Sequence, residues 1–226
     1  MAALLVEETM TAAPSNSLLI ACGLVREARI LARPGILAIP GGGDAARLDT
    51  ALEAQVAGAA MLLSCGIGGA LDPALKAGDV VVHLPSSEWR EAPLRRALPH
   101  AHFGGIVGQD HICATAADKA MLYATTGALA VDMESHVAAR VAARHGLPFA
   151  AIRAISDTAH ETLPLAALVG MNPDGSMALG RVLWSLARAP SQLPALIRTG
   201  RSAEAAFKSL VEIAGALAQF SAATGQ

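Results

Sequence analysis

Val131-Asp132-Met133-Glu134-Ser135 and, further along, Ile152-Arg153-Ala154-Ile155-Ser156-Asp157-Thr158 are the two stretches that decide the fold. Each is a short apolar run, typical of a buried β-strand, that ends in acidic and hydroxyl side chains. In α/β sheets, sites lie at the carboxyl edge, where such strands end. A carboxylate there is partly desolvated, which moves its pKa toward the operating pH and suits it to general-acid chemistry. The two stretches therefore predict an α/β protein with a site at these strand ends.

A helix is predicted between the two stretches. Apolar residues recur every four positions on one face, at Met133, Val137 and Val141. Asp132 is suited to cap the start of this helix and Gly146 to end it, which places Glu134 in the first turn. In one interpretation, Asp132 only caps the helix and Glu134 only complements its dipole. The second acidic strand end, at Asp157, favours a functional site instead.

The size of the chain fits one domain. Its 226 residues are enough for a single α/β domain with a full core, predicted over residues 18–226. Residues 1–17 have no basic region and are predicted to be a flexible tail rather than a secretory signal. No apolar run approaches the ~20 residues that span a bilayer. Three cysteines without metal-ligand spacing favour reduced thiols and a cytoplasmic location.

The charge pattern points to a small-molecule substrate. The net charge is −2, and no run of Lys and Arg could follow a nucleic-acid backbone. Aromatic residues make up 3% of the chain, too few for a platform that stacks single-stranded bases. Nucleic acid is therefore not an expected partner.

A glycine-rich loop precedes the predicted helix 45–58. Gly41, Gly42 and Gly43 could present backbone amides to an anion, with Arg47 in the first helical turn. The same residues fit a plain turn equally well, because three glycines alone are a weak signal. A phosphate site and a simple turn both stay open here.

The two opening stretches resemble the superfamily of purine nucleoside phosphorylases and nucleosidases. The pattern Asp-Met-Glu, a helix, and then Ile-Arg-x-Ile-Ser-Asp is specific to that family. The resemblance extends back to Gly66–Pro73, which is similar to the family's glycine-rich turn. It also includes the sequence Gly-Asp-Val-Val at 78–81, which is similar to the strand that follows that turn in the family. It covers roughly residues 18–190. It implies a three-layer α/β/α domain around a central mixed, twisted sheet.

Within that superfamily, the chain is most similar to the hopanoid-associated phosphorylases, which release adenine from adenosylhopane. The resemblance rests on the sequence Ser-Cys-Gly-Ile-Gly-Gly-Ala-Leu at 64–71, on the short central part of the chain, and on the sequence Leu-Pro-Ala-Leu-Ile-Arg at 193–198. It implies cleavage of the N-glycosidic bond of a 5′-substituted adenine nucleoside, by phosphorolysis. The alternatives are hydrolysis, as in nucleosidases of methylthioadenosine and adenosylhomocysteine, and a non-catalytic purine-binding protein.

The resemblance also implies roles for individual residues. Asp157 would act as the acid toward the leaving adenine, oriented by Ser156 and Arg153. Glu134 would accept hydrogen bonds from the ribose hydroxyls. The other substrate-binding residues it implies are Asp132, Met133, Gly66, Ile67, Gly68, Ile112 and Cys113, with Ile112 in the place of a base-stacking Phe.

The nucleophile is left open by the sequence. Phosphate, as a co-substrate, would be held by residues drawn from Arg26, Arg47, Ser64 and the amide of Gly43. Water would need a base, and Glu27 matches the carboxylate that the family places after its first strand. Ile67 stands where relatives often have a Ser or Thr that contacts the nucleophile, which weakens the case for phosphate. Neither reaction implies a metal or an organic cofactor, and the family implies a homo-oligomer, either a dimer or a hexamer.

The C-terminal part is predicted to be helical, with breaks at 189–190 and 197–201. Leu179, Val182, Leu183 and Leu186 form one apolar face, and Arg181 and Arg188 share another. Such a face most often packs on the protein's own sheet. The alternative is a peripheral contact with a membrane surface.

Overall fold

The computed structural model describes residues 17–85, 91–170, 172, 174–176 and 178–224. The strands are β1 Ser17–Cys22, β2 Ile36–Pro40, β3 Ala59–Ala70, β4 Val80–His83, β5 His102–Phe103, β6 Ile106–Gly108, β7 Ala130–Asp132 and β8 Phe149–Asp157. The α-helices are α1 Val25–Leu31, α2 Ala45–Glu53, α3 Glu91–Ala97, α4 Ala116–Thr126, α5 Ser135–His145, α6 Leu165–Leu168, α7 Leu179–Arg188 and α8 Leu193–Thr224. The predicted tail lies outside the described residues, apart from Ser17.

The strands form one mixed sheet that branches at β3. Across the sheet the order is β2-β1-β3-β8-β4-β5, with β2, β1, β3 and β8 parallel and β4 antiparallel to β8. The far end of β3 pairs antiparallel with β7, which pairs in parallel with β6. β3 therefore joins the two parts of the sheet, and the ends of β7 and β8 meet beside it.

Residues 66–70, predicted to begin a glycine-rich turn, are instead the second half of β3. The prediction was wrong because these glycines permit close approach rather than chain reversal. An added Cβ on Gly68 would lie 2.8 Å from the carbonyl oxygen of Val131 on β7. A side chain there would push the two strands apart.

Alternate residues of β1 face opposite helical layers. Leu18, Ile20 and Cys22 pack in a cluster that includes residues of α1 and α8, whereas Leu19 and Ala21 pack with residues of α2 and α5. This alternation follows from the two-residue period of a strand, and burial on both faces explains why β1 is apolar throughout. The predicted three-layer α/β/α architecture is confirmed.

The helix between the two opening stretches begins at Ser135, two residues later than a cap at Asp132 predicts, so Glu134 does not lie in its first turn. Oδ1 of Asp132 accepts hydrogen bonds from the amides of Glu134 and Ser135, at 3.1 and 2.9 Å, so Asp132 does satisfy the helix start. Glu134 itself occupies the cap position, before the first turn. Gly146 ends the helix with φ +64°, as predicted.

Three predictions about the other helices were wrong. The helix predicted over 45–58 ends at Glu53, and a 3₁₀ turn follows at Val56–Gly58. The predicted break at 197–201 does not occur, because α8 runs on to Thr224 and buries Leu210, Ile213 and Leu217 further along. The apolar face of α7 does not pack on the sheet, since none of its residues is buried. Within the residues described, no helix is both long and apolar enough to cross a bilayer.

We predict that Gly108→Ala destabilises the fold by about 1–3 kcal/mol, because overpacking at a well-packed junction forces backbone shifts. An added Cβ would lie 2.5 Å from the backbone nitrogen of His136 at the start of α5. The matched control is Gly215→Ala on α8, where nothing lies within 4 Å of the added atom. That change should be neutral or stabilise the helix by up to about 1 kcal/mol. Urea denaturation measures both, and equal stabilities would contradict the prediction.

Candidate active site

A cavity of about 210 Å³ lies at the carboxyl ends of β1, β7 and β8, beside the second half of β3. Four of its lining residues carry carboxylates: Glu27, Asp132, Glu134 and Asp157. The others are Gly23, Leu24, Ile67, Gly68, Gly69, His111, Ile112, Cys113, Val131, Met133, Ser156 and Leu163. Residues far apart in the sequence thus meet where the strand ends predicted a site.

Of the catalytic and substrate-binding residues predicted from the sequence, all but Gly66 and Arg153 line this cavity. Gly66 lies against Glu27, since an added Cβ would be 2.8 Å from Oε1 of that side chain. Arg153 is fully buried against Gly68, whose added Cβ would lie 3.1 Å from Cδ of Arg153. Both residues therefore support the wall of the cavity.

Glu27 is held by backbone amides. Its Oε2 accepts hydrogen bonds from the amides of Gly23 and Leu24, at 2.7 and 2.8 Å, and its Oε1 accepts one from Ile67 at 2.8 Å. Burial raises the pKa of Glu27, and the three amides oppose the rise. Each carboxylate oxygen has two lone pairs, so Oε1 can accept one further hydrogen bond from a water or a hydroxyl. The side chain is fixed and suited to act as a base.

Arg153 connects two of the other carboxylates. Its Nη2 lies 2.7 Å from Oδ2 of Asp132 and 3.5 Å from Oε2 of Glu134, and it donates to the hydroxyl of Ser64 at 2.6 Å. A buried cation of this kind keeps adjacent carboxylates from repelling each other. The predicted role of Arg153 next to Asp157 is not what the contacts show, because its partners are Asp132 and Glu134.

Burial raises the pKa of Glu134 to about 8, and the guanidinium of Arg153 opposes that rise. The negative charges of Asp132 and Glu27 push it further up. A carboxyl group with such a pKa exchanges its proton near neutral pH, so ligand hydroxyls that donate to it would favour its ionised form.

Asp157 is hydrogen-bonded at both oxygens. Oδ1 accepts from the hydroxyl of Ser156 at 2.7 Å, as the predicted orienting role requires. Oδ2 accepts from Nζ of Lys119 at 2.5 Å. The same ammonium donates to the carbonyl oxygens of Thr158 and Glu161, at 2.8 and 3.0 Å. Lys119 therefore anchors Asp157 and the loop that follows β8 to helix α4.

Lys119 is a residue of the site that the sequence did not predict. A lysine in a helix is normally exposed, whereas Lys119 is fully buried and paired. Thr115 caps α4 through the amide of Asp118, which sets Lys119 one turn from the helix start, beside the 158–161 loop. The only available signal was that lysine is rare in this chain, since Lys119 is one of three lysines among 17 basic residues.

None of the four phosphate candidates lines the cavity. Arg26 points outward and pairs with Glu204 of α8, because neighbouring positions on a helix face different directions and Glu27 takes the inward one. Ser64 is fully buried beneath Arg153. Gly43 lines a separate surface cavity that also contains Asp44 and Asp110, and the amide of Arg47 donates to Asp44. The structure therefore does not bring these residues together.

The cavity has few groups that could balance negative charge. In the described wall of the cavity, His111 is the only basic side chain, against four acidic ones, while Arg153 and Lys119 lie behind the wall and are paired with three of those acids. Across the described residues, no group of three or more His, Cys, Asp or Glu side chains could hold a metal ion. Acidic side chains therefore outnumber basic ones in the described wall.

We predict that Lys119→Met destabilises the protein by about 3–5 kcal/mol, because Asp157 would keep a buried charge without its partner. The double variant Lys119→Met/Asp157→Asn should regain part of that loss. Lys208→Met, at an exposed lysine of α8, is the matched control. Denaturant unfolding measures all three, and a Lys119 variant as stable as the control would disprove this role.

We also predict that Glu134→Gln changes how stability depends on pH. The ordinary pKa of this carboxyl is 4.5, and its folded pKa is about 8. Below pH 4.5 the carboxyl of Glu134 is protonated in the folded and in the unfolded protein. As the pH rises from there toward 8, the unfolded protein releases this proton and the folded protein keeps it, so the free energy of unfolding falls. Glutamine has no proton to release, so the stability of Glu134→Gln relative to wild type should increase between about pH 5 and 8. Glu212→Gln, at an exposed site, is the control, and parallel curves for wild type and Glu134→Gln would contradict the prediction.

Comparison with known proteins agrees with this architecture. A family model, the Phosphorylase superfamily, matches residues 85–188, which include Lys119, Glu134, Arg153 and Asp157 but not Glu27. A search of curated proteins found no match.

Several solved structures are similar in fold. The 5′-methylthioadenosine/S-adenosylhomocysteine nucleosidase from Helicobacter pylori, bound to butyl-thio-DADMe-Immucillin-A, superposes with a TM-score of 0.61 at 16% identity, over 91% of this chain and 97% of that one. The nucleosidase from Colwellia psychrerythraea in complex with adenine gives 0.54 at 18% identity, over 78% and 98%. The futalosine hydrolase of Helicobacter pylori gives 0.51 at 17% identity, over 87% and 97%. The chain therefore has the α/β fold of the nucleoside phosphorylases and nucleosidases.

Proposed function

We propose that this protein cleaves the N-glycosidic bond of a 5′-substituted adenine nucleoside and releases adenine. The observation that carries the proposal is the convergence of Glu27, Glu134 and Asp157 on one cavity, each held by different partners. The matched family model and the named nucleosidases of the same fold support the reaction class.

The departing base requires an acid. As the C1′–N9 bond breaks, its electron pair moves onto adenine, and protonation at N7 by Asp157 would neutralise that charge. Ser156 and Lys119 fix the direction of the carboxyl group. Positioned acids of this kind contribute about 10²- to 10⁴-fold to the rate.

The sugar requires orientation. Glu134 would accept hydrogen bonds from the 2′- and 3′-hydroxyls, with Met133 against the ribose and Ile112 and Cys113 near the base. Ionised Glu134 would also stabilise the positive charge that develops on the sugar. A site built to bind hydroxyls strongly rejects analogues that lack them.

Water is the nucleophile that the cavity favours. A phosphate dianion would face four acidic side chains in the described wall. The buried cations behind that wall, Arg153 and Lys119, are already paired with Asp132, Glu134 and Asp157. A water held by Oε1 of Glu27 could instead attack C1′ and give its proton to that carboxylate. The products would be the free sugar and adenine, with one proton to be returned from Glu27 to Asp157 through solvent.

Phosphorolysis of adenosylhopane is the second candidate. It is supported by the narrower resemblance to hopanoid-associated phosphorylases and by the apolar side chains of Ile112 and Leu163 in the cavity wall. A non-catalytic purine-binding role is less well supported, because binding alone does not need an acid fixed by a buried lysine. We further propose a cytoplasmic homo-oligomer, either a dimer or a hexamer.

The test is adenine release from 5′-deoxyadenosine, methylthioadenosine and adenosylhopane, each with and without phosphate. We expect release without phosphate, and we expect Asp157→Asn to lower kcat by at least about 10²-fold while the protein stays folded. Asp49→Asn, which alters an ion pair with Arg144 on the protein surface, is the control. Release that requires phosphate would select the second candidate, and near-normal turnover by Asp157→Asn would exclude Asp157 as the acid.

A further inference from the structure

Large apolar side chains are exposed mainly in one part of the described chain. Nine large hydrophobic residues are exposed there, and six of them lie between residues 165 and 197. We call these six the α6–α8 apolar face: Leu165, Leu179, Leu183, Trp184, Leu193 and Ile197. Their exposed fractions range from 46% to 67%, far above what packing on the protein itself would leave. Such a concentration marks an interaction surface.

The elements that carry this face are joined to one another. The amide of Ala166 on α6 donates to the side chain of Gln192, just before α8, at 3.0 Å. The amide of Ala178, at the start of α7, donates to the carbonyl of Gly170, just after α6, at 2.8 Å. Leu179 and Leu183 lie one turn apart on α7, as do Leu193 and Ile197 on α8. The segments that carry the six side chains are therefore held together.

The charge around the face is mainly positive. Residues 165–203 contain four arginines, at 181, 188, 198 and 201, and one acidic residue, Asp174. Since the whole chain has a net charge of −2, the rest of the chain carries −5. The guanidinium of Arg188 lies 4.6 Å from the ring centroid of Trp184, at the edge of the apolar strip of α7. An apolar strip with tryptophan and arginine at its border is typical of helices that lie in a membrane interface.

A second copy of the chain fits this face less well. A two-fold contact would place the same patch on both sides and bring the arginines of one copy against those of the other. An anionic lipid surface offers the opposite charge over the whole area and repels the negative remainder of the protein. The charge distribution thus favours an anionic lipid surface as the partner, and it favours an orientation in which the α6–α8 apolar face points toward the lipid.

We propose that the α6–α8 apolar face docks this protein onto the surface of an anionic lipid bilayer. Docking does not depend on the proposed reaction, but it would serve that reaction. Leu163 lines the active-site cavity, and Leu165, two residues further on, is part of the face. A docked protein would therefore hold its cavity close to the lipid, where a nucleoside with a lipophilic 5′-substituent resides.

Sedimentation with lipid vesicles tests the docking. The wild type should bind vesicles of 70:30 phosphatidylcholine and phosphatidylglycerol, and bind far less to pure phosphatidylcholine. Leu183→Glu/Ile197→Glu should lose the binding. Met121→Glu/Val211→Glu, at two exposed apolar residues outside the face, is the matched control and should keep it. Arg198→Gln/Arg201→Gln should weaken binding roughly 20- to 30-fold, from about 1 kcal/mol for each arginine near an anionic surface.

Tryptophan fluorescence and adenine release distinguish a failure of docking from a failure of the reaction. In a Trp89→Phe background, the fluorescence of Trp184 should shift to the blue with anionic vesicles. Adenine release from methylthioadenosine in solution should be the same for Leu183→Glu/Ile197→Glu and wild type, so a failed reaction and a failed docking are seen separately. Equal binding of wild type and that variant would overturn the proposal. So would a wild-type dimer that the variant converts to a monomer without any vesicle binding.

Discussion

The guanidinium of Arg153 is fully buried and lies against the carboxylates of Asp132 and Glu134, and much of the site depends on this contact. Without the cation, Glu27, Asp132 and Glu134 would be three acidic groups near one another in a region of low dielectric. With it, Asp132 remains available to accept hydrogen bonds from the start of α5, and Glu134 reaches the cavity. A group required for the fold thereby also sets the electrostatics of the site.

The other two carboxylates are held by different means. Glu27 is fixed by three backbone amides, two from the turn after β1 and one from Ile67 in β3, so its position does not depend on pairing with another charge. Asp157 is fixed by a hydroxyl and by the ammonium of Lys119. Three carboxyl groups in one cavity thus have three kinds of partner, so each is held in place by a different part of the structure.

The glycines of β3 make this convergence possible. Gly66 leaves space for Glu27 and Gly68 leaves space for β7, each at a distance that a Cβ would not allow. The glycine pattern predicted a turn here, because such a pattern does not distinguish a chain reversal from a close approach of two strands. The periodicity of α7 likewise predicted that its apolar face packs on the sheet, because periodicity shows that a face is apolar and not what covers it.

The sequence by itself determined the strand ends with their acidic residues and the helix that Gly146 ends, because these follow from local periodicity and capping. The three-layer class followed from the resemblance of its motifs to a known superfamily. Only the tertiary structure decided which charged groups meet. It paired Lys119 with Asp157 across 38 positions, turned Arg26 away from the cavity and placed Arg153 beneath Asp132 and Glu134. The physical reason is that an ion pair depends on distance in space and on burial, and neither is encoded in the spacing of residues along the chain.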